Sequence, residues 1–209
     1  MHPELQKFAE TKIVPVVAIH DAADAEPLAQ ALIEGGLPCA EITFRTSAAA
    51  AAIEAMAKLG TIQVGAGTVS KIDQVKAAVD AGSSFIVSPG FNPKVVEYCC
   101  ANDILITPGI SNPSDIEMAI DFPLEVLKFF PAEAFGGLTT LKAMSAPYGG
   151  FKFIPTGGIG PGNLLDYLRF DKVLACGGSW MVKSDLISEQ KFDDIRALTA
   201  DAIALTKSL

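Results

Sequence analysis

The sequence Leu124-Glu-Val-Leu-Lys-Phe-Phe-Pro-Ala-Glu133 predicts a short buried strand that ends in a charged amine, Lys128. Burial disfavours the charged form of a lysine, so part of its population becomes a neutral, nucleophilic amine near pH 7. Such an amine can attack a ketone and form a Schiff base. Alternatively, the lysine stem packs in the strand while its ammonium group reaches water. The rest of the chain decides between these two interpretations.

This strand is one of eight. Short apolar runs alternate with helical stretches roughly every 20 to 25 residues, the pattern of repeated βα units around a parallel sheet. The predicted strands are Val14 to Ile19, Cys39 to Thr43, Ile62 to Ala66, Phe85 to Ser88, Ile104 to Thr107, Leu124 to Lys128, Phe151 to Pro155 and Val173 to Cys176. Eight units favour an α/β fold, a (β/α)8 TIM barrel, over an open doubly wound sheet, in which two of these runs would have no place.

Helix signals fall between the strands. Ser70 with Asp73 predicts a capping pair, and Asn92-Pro93 predicts another helix start. Residues Pro3 to Thr11 predict a short N-terminal helix that closes the barrel floor. In the last helix, an apolar stripe predicts the core face; it consists of Phe192, Ile195, Leu198 and Leu205.

Composition limits the class of protein. The chain has 209 residues, of which 50% are hydrophobic, so we expect one barrel domain spanning residues 1–209. Its apolar runs are too short to span a bilayer and its polar start lacks the build of a signal peptide, so we expect a cytoplasmic protein. A net charge of −8 argues against nucleic acid and anionic membranes as partners, but not against a small anionic ligand.

Charged side chains follow the second strand. In Glu41-Ile-Thr-Phe-Arg45, alternation predicts that Glu41, Thr43 and Arg45 point to one face, which supplies a base and an anion clamp. Alternatively, Glu41 and Arg45 form a structural ion pair. The third strand ends in Gly65-Ala-Gly-Thr68, whose glycines permit close approach of a ligand to the backbone. Ser88-Pro-Gly90 after the fourth strand is an ordinary turn sequence.

Two Gly-Gly turns follow the last two strands. They are Pro155-Thr-Gly-Gly-Ile-Gly160 and Cys176-Gly-Gly-Ser-Trp180. Barrels commonly build a phosphate site there from exposed backbone amides, and a side chain would block those amides. The turns therefore predict a phosphorylated ligand.

Several common kinds of site have no sequence signal. Only two histidines occur, His2 and His20, and neither has metal-ligand spacing or lies near a serine motif. No P-loop or dinucleotide fingerprint is present. We therefore predict neither a metal nor a cofactor.

Taken together, these motifs resemble the 2-keto-3-deoxy-6-phosphogluconate (KDPG) aldolase family, class I aldolases that also act on 4-hydroxy-2-oxoglutarate (KHG). The resemblance covers nearly the whole chain. The segments that carry it are Glu41-Ile-Thr-Phe-Arg45, Gly65-Ala-Gly-Thr-Val69, Ser88-Pro-Gly90, Pro108-Gly-Ile110, Lys128-Phe-Phe-Pro-Ala-Glu133, Pro155-Thr-Gly-Gly-Ile159 and Gly177-Gly-Ser-Trp180.

The resemblance implies cleavage of KDPG to pyruvate and glyceraldehyde 3-phosphate, and of KHG to pyruvate and glyoxylate, by a homotrimer. It implies Schiff-base chemistry at Lys128 and acid/base work by Glu41. The implied binding residues are Arg45 and Thr68 for the pyruvate carboxylate, Pro89 and Phe130 for the pocket wall, Thr156 for substrate hydroxyls, and Gly157, Gly158, Gly178 and Ser179 for phosphate.

Three alternatives remain open from the sequence. The related 2-dehydro-3-deoxy-6-phosphogalactonate aldolases act on the C4 epimer, although the Pro-Ala-Glu segment, Thr156 and Ser179 are more similar to the gluconate type. A phosphosugar isomerase or epimerase would use carboxylate or histidine proton transfer, and no histidine is predicted at a strand end. A non-catalytic barrel would bind a phosphorylated ligand without turnover.

Overall fold

The computed structural model describes residues 1–209. Its strands are β1 (Ile13–Val17), β2 (Cys39–Thr43), β3 (Gln63–Gly67), β4 (Ile86–Val87), β5 (Ile106–Thr107), β6 (Gly109–Ile110), β7 (Val126–Phe129), β8 (Lys152–Pro155) and β9 (Cys176–Gly178). Only Pro108 separates β5 from β6, so these two short strands share one position in the barrel.

Helices fill the intervals between the strands. The α-helices are α1 (Pro3–Thr11), α2 (Ala25–Glu34), α3 (Ala49–Lys58), α4 (Ile72–Asp80), α5 (Pro93–Ala101), α6 (Pro113–Ile120), α7 (Gly137–Ser145), α8 (Leu164–Leu168), α9 (Ser184–Ser188) and α10 (Phe192–Thr206). Two 3₁₀ turns lie at Ala22–Asp24 and Glu133–Phe135. None of the helices combines the length and the apolar character needed to cross a membrane.

The strands close into a barrel. One sheet has the order β5-β4-β3-β2-β1-β9 and a second has the order β6-β7-β8, and all strand pairs are parallel. Parallel bridges between Phe153 and Val173 and between Thr156 and Gly177 join β8 to the last strand. Eight strand positions thus form the ring, which confirms the (β/α)8 prediction.

Some predicted strand boundaries were wrong by a few residues. The sixth predicted strand, Leu124 to Lys128, forms only over Val126–Phe129, and the eighth, Val173 to Cys176, lies at Cys176–Gly178. Apolar runs mark burial, whereas a strand begins where the neighbouring strand offers hydrogen bonds. The first paired residue of β7 is Val126, opposite Lys152.

Helix α1 has the predicted bounds and closes the floor of the barrel. The ring of Phe8 meets that of Phe85 edge to face, with centroids 4.9 Å apart. A Cβ atom at Gly65 would overlap the Phe85 ring. Gly65 therefore makes room for the floor of the barrel, and the prediction that it admits a ligand was wrong.

One of the two predicted helix starts is confirmed and the other was wrong. The Asn92 side chain accepts a hydrogen bond from the Lys94 N–H, so that cap is confirmed. The Ser70–Asp73 capping pair was wrong, because α4 begins at Ile72 and Ser70 lies outside its N-cap. Instead, the Ser70 N–H donates to Gln74 Oε1 at 2.8 Å.

The core face of α10 also differs from the predicted stripe. Its buried residues are Ile195, Thr199, Ala202 and Thr206. Leu198 and Leu205 are only half-buried. A Cβ atom at Gly35, the residue that ends α2, would lie 2.6 Å from Thr199 Cβ. The glycine therefore lets Thr199 of α10 approach α2 closely. Helix packing therefore selected small residues over the larger apolar ones.

Candidate active site

A buried ion pair crosses the barrel interior. Lys128 on β7 is 6% exposed and Glu41 on β2 is 3% exposed, and Lys128 Nζ lies 3.2 Å from Glu41 Oε1. Charges are rarely buried in this way, because removal from water is costly even for a pair. The alternative in which the Lys128 ammonium reaches water is therefore wrong, as is the alternative in which Glu41 pairs with Arg45.

A glycine on the neighbouring strand makes room for this pair. A Cβ atom at Gly67 on β3 would overlap the carboxylate of Glu41. The Gly65-Ala-Gly-Thr68 segment was predicted to admit a ligand. The structure instead assigns Gly67 to the accommodation of a charged side chain.

The surroundings of the pair are mostly apolar. Phe8, Val14, Phe85, Val87 and Ile154 line a cavity of about 10 Å³ together with Glu41, Thr107 and Lys128. The ring of Phe130 lies on another side, with its centroid 5.3 Å from Lys128 Nζ. Because a cavity of this size has room for about one water molecule at most, any charge that develops here depends on fixed protein groups.

A cleft of about 380 Å³ opens above Phe130. Seven of the eleven predicted site residues line it, and these are Arg45, Phe130, Thr156, Gly157, Gly158, Gly178 and Ser179. The remaining four are Lys128 and Glu41, which lie in the barrel interior, and Thr68 and Pro89. The fold thus collects side chains and turns from distant parts of the chain at one end of the barrel.

Arg45 and Thr68 form one side of the site. Arg45 Nε lies 3.4 Å from Thr68 Oγ1, to which it donates a hydrogen bond. Thr68 has a φ of 58°, which is unusual for a β-branched residue and marks a constrained backbone. The expectation that alternation along the strand orients Arg45 was wrong, because β2 ends at Thr43 and Arg45 lies in the following turn.

Pro89 lies beside the site without lining the cleft. A Cβ atom at Gly109 would overlap the Pro89 carbonyl, and Gly109 is the register partner of Lys128. Ser88 Oγ donates to the Gly90 carbonyl at 2.8 Å, which confirms the ordinary turn. Pro89 therefore packs against the strand next to Lys128.

The two Gly-Gly turns form the rim of the cleft. Gly157 and Gly158 have φ values of 100° and 79°, in the left-handed region that favours glycine. The N–H groups of Gly157, Gly158 and Ser179 donate to no atom of the protein. We call these three residues, with Gly178, the amide rim. Free amides at strand ends are the groups that hold anions in proteins.

The glycines of the second turn also make room for side chains. A Cβ atom at Gly177 would overlap Thr156 Oγ1, and one at Gly178 would overlap the ring of Trp180. The sequence argument that glycine only keeps the amides open to an anion was therefore incomplete.

Sequence reasoning missed some residues around the cleft. Lys183, Ser184 and Asp185 line it and follow the second Gly-Gly turn by a few residues. The sequence signal that could have identified them is their position shortly after the last strand. No group of three or more His, Cys, Asp or Glu side chains has a metal-ligating arrangement.

Comparison with known proteins supports these observations. The family model "KDPG and KHG aldolase" matches residues 5–198. The 2-dehydro-3-deoxy-phosphogluconate aldolase of Treponema pallidum is 45% identical over 201 residues, which is 96% of each chain.

Two solved structures are also similar to this chain over nearly its whole length. The 2-keto-3-deoxy-6-phosphogluconate aldolase of Zymomonas mobilis superposes with a TM-score of 0.89 at 38% identity, covering 96% of each chain. The KDPG aldolase of Legionella pneumophila, with pyruvate captured at low pH as a covalent carbinolamine intermediate, gives a TM-score of 0.92 at 34% identity. It covers 96% of this chain and 98% of that one. The resemblance inferred from the motifs is confirmed, and the chain belongs to the KDPG and KHG aldolase family of carbon–carbon lyases.

Proposed function

We propose that residues 1–209 form one barrel domain that cleaves 2-dehydro-3-deoxy-6-phosphogluconate to pyruvate and glyceraldehyde 3-phosphate as a class I aldolase. The same site would cleave 4-hydroxy-2-oxoglutarate to pyruvate and glyoxylate. The observation that carries the proposal is the buried contact of 3.2 Å between Lys128 Nζ and Glu41 Oε1. The pair places a nucleophile and a proton acceptor within hydrogen-bond reach of one another.

The reaction begins at Lys128. Glu41 takes a proton from the ammonium group, and the neutral amine attacks C2 of the keto acid. Glu41 returns that proton to the C2 oxygen, which leaves as water, and an iminium ion and a free Glu41 carboxylate remain. The carbinolamine captured in the Legionella pneumophila enzyme supports this step.

The iminium ion then accepts the electrons of the C3–C4 bond. Glu41, directly or through water, takes the proton of the C4 hydroxyl as the aldehyde departs, and an enamine forms. Return of a proton to C3 and hydrolysis of the imine release pyruvate and regenerate Lys128. Glu41 thus serves as base and acid in turn.

The pyruvate half of the substrate lies between Lys128 and the Arg45–Thr68 contact. Arg45 offers paired N–H groups to the carboxylate, and Thr68 adds a hydroxyl. We assign Phe130 to the pocket wall, together with Pro89, which lies in the turn after β4 and packs against β6. The buried Thr156 hydroxyl meets the substrate hydroxyl groups.

The aldehyde half extends to the amide rim. Three N–H groups without a protein acceptor suit the oxygens of a phosphate dianion. This assignment explains how a chain with a net charge of −8 binds an anionic substrate. Local amide dipoles act at contact distance, whereas distant surface charges are screened.

Borohydride trapping tests the proposal. In the presence of pyruvate, borohydride should reduce the imine to a stable secondary amine, and mass spectrometry should find the adduct at Lys128. Lys142 is a matched control, because its Nζ also lies over a phenyl ring, 5.6 Å from the centroid of Phe170, but on the surface. An adduct at Lys142, or none at all, would refute the assignment. Parallel assays with KDPG and its C4 epimer distinguish the gluconate from the galactonate type.

We further propose a cytoplasmic homotrimer. The family resemblance supports this assembly, as do exposed apolar side chains such as Ile120, 57% exposed, and Phe135, 51% exposed. Sedimentation equilibrium should give three times the chain mass of 21.9 kDa. A single-chain mass across the working concentration range would contradict it.

A further inference from the structure

We propose that Tyr167 and Glu133 form a positioning pair that holds a carboxylate away from the amide rim and thereby sets the preference for phosphorylated 2-keto acids. The substrate preference rests on the proposed aldolase function. The anion-binding part of the proposal does not.

The pair lies next to the amide rim. Tyr167 on α8 is 2% exposed and is among the largest fully buried side chains. Its hydroxyl donates a hydrogen bond to Glu133 Oε1. Burial, reinforced by this carboxylate, raises the pKa of the Tyr167 phenol well above its ordinary value. The hydroxyl is therefore a donor throughout the working pH range of an enzyme.

Glu133 is joined to the first Gly-Gly turn by its backbone. The Glu133 N–H donates to the Gly157 carbonyl at 3.0 Å, and the Ala132 N–H donates to the Thr156 carbonyl at 2.8 Å. The segment that follows Lys128 in the sequence thus runs along the turn. These backbone bonds do not involve the Glu133 carboxylate, so the main chain stays in place when the side-chain contact is removed.

The Glu133 side chain also packs against the turn. A Cβ atom at Gly158 would lie 2.6 Å from both Cβ and Cγ of Glu133. A Cβ atom at Gly137 would lie 2.9 Å from Glu133 Oε1 and 3.1 Å from the Tyr167 hydroxyl oxygen. Glycines on two sides leave space for this pair.

The charge of Glu133 explains why the pair matters. A carboxylate next to free amides competes with an incoming phosphate for those amides and repels it. Glu133 does not line the cleft, and its carboxylate instead accepts the hydrogen bond of the Tyr167 hydroxyl. Without that hydrogen bond, the carboxylate is free to rotate towards the rim.

Titration with inorganic phosphate, followed by the amide chemical shifts of Gly157 and Gly158, tests this idea without any assay of catalysis. Tyr167→Phe should weaken phosphate binding about ten-fold, the scale of one lost hydrogen bond to a charged group. Tyr148→Phe is the matched control, because it removes a hydroxyl that donates to Glu117 at 3.1 Å on the surface. It should leave binding unchanged.

Adding Glu133→Gln to Tyr167→Phe is the decisive step. Removal of the Glu133 charge should restore phosphate binding to within about two-fold of the wild type, because the side chain no longer repels phosphate. Recovery should be incomplete, because the packing that Tyr167→Phe changed is not repaired. In kinetics, Tyr167→Phe should raise KM for KDPG about ten-fold with little change in kcat, and should leave kcat/KM for 4-hydroxy-2-oxoglutarate unchanged.

Three outcomes would overturn the inference. They are equal losses on both substrates, failure of Glu133→Gln to restore phosphate binding, and no phosphate-dependent shift at Gly157 or Gly158 in the wild type. If phosphate binds as expected while borohydride traps no imine, the aldolase assignment fails and the anion-positioning role stands.

Discussion

The interior pair and the amide rim solve the problem of binding charge in opposite ways. In the interior, the Lys128 and Glu41 side chains are buried, and each is the ion-pair partner of the other. At the rim, Gly157, Gly158 and Ser179 offer backbone N–H groups that no protein atom accepts. The interior uses side chains to do chemistry, and the rim uses backbone to hold a ligand.

Solvent explains the difference. A buried charge without a partner costs several kcal/mol, so the interior must be complete before the substrate arrives. Amides at an open cleft can donate to water until an anion replaces it. We therefore expect changes in the interior to abolish turnover and changes at the rim to weaken the binding of one class of substrate.

Loss of the nucleophile should have the largest effect. Lys128→Met should lower kcat for both substrates by roughly 10⁴-fold or more, the scale on which removal of a catalytic nucleophile acts. Coupled detection of pyruvate release measures the loss. Turnover within ten-fold of the wild type would show that the imine forms elsewhere.

A second variant separates chemistry from folding. Lys128→Met leaves the Glu41 carboxylate buried without a partner, which should lower the free energy of unfolding by about 3–5 kcal/mol. Adding Glu41→Gln to Lys128→Met removes the isolated charge and should recover much of that stability in urea unfolding, while activity stays lost.

Loss of the proton acceptor, Glu41, should have the second-largest effect on turnover. Glu41→Gln should reduce kcat by roughly 10² to 10⁴, the usual contribution of a positioned general acid/base. Borohydride should still trap some pyruvate at Lys128. If aldol cleavage and proton exchange at the pyruvate methyl group both stay near wild-type rates, Glu41 is only the structural partner of Lys128.

Gly67→Ala should disturb the interior indirectly. The new methyl group would displace the Glu41 carboxylate, and a displacement of about 1 Å can cost about 10²-fold in rate. We expect kcat to fall for both substrates. Gly149→Ala is the control, because its Cβ atom would meet nothing within 4 Å. A fall in KDPG cleavage alone would place the disturbance at the rim instead.

Ser179→Ala should have the smallest effect and should be selective. It removes one hydroxyl and keeps the amide, so the expected loss is about 0.5–1.5 kcal/mol, or about two- to ten-fold in KM for KDPG. Cleavage of 4-hydroxy-2-oxoglutarate should not change, nor should either reaction in Ser208→Ala. A bulky residue at Gly158 would be a poorer test of phosphate binding, because its side chain would also clash with Glu133.

The sequence allowed much of the fold to be predicted because its signals are local. Eight apolar runs separated by helix signals require a repeated βα architecture, and α1 has the predicted bounds Pro3–Thr11. The Ser70–Asp73 cap was wrong, because α4 begins at Ile72. The α10 stripe packs against the core as predicted, but small residues such as Thr199 take the most buried positions, because helix contacts depend on which neighbours pack nearby. Gln74, which binds the Ser70 N–H, is a local contact four residues away, whereas Gly35 meets Thr199 only in the folded chain.

The candidate active site likewise combines features that the sequence encodes locally with contacts that form only in the folded chain. The sequence by itself determined which groups are available: an amine at a strand end, a carboxylate on another strand, and glycines after the last two strands. Only the tertiary structure decided that Glu41 pairs with Lys128 rather than Arg45, and that Gly67 and Gly177 make room for side chains. The physical reason is that residue type and the alternation of strands and helices along the chain are encoded locally. Which atoms meet inside a closed barrel depends on the register of strands that are far apart in sequence.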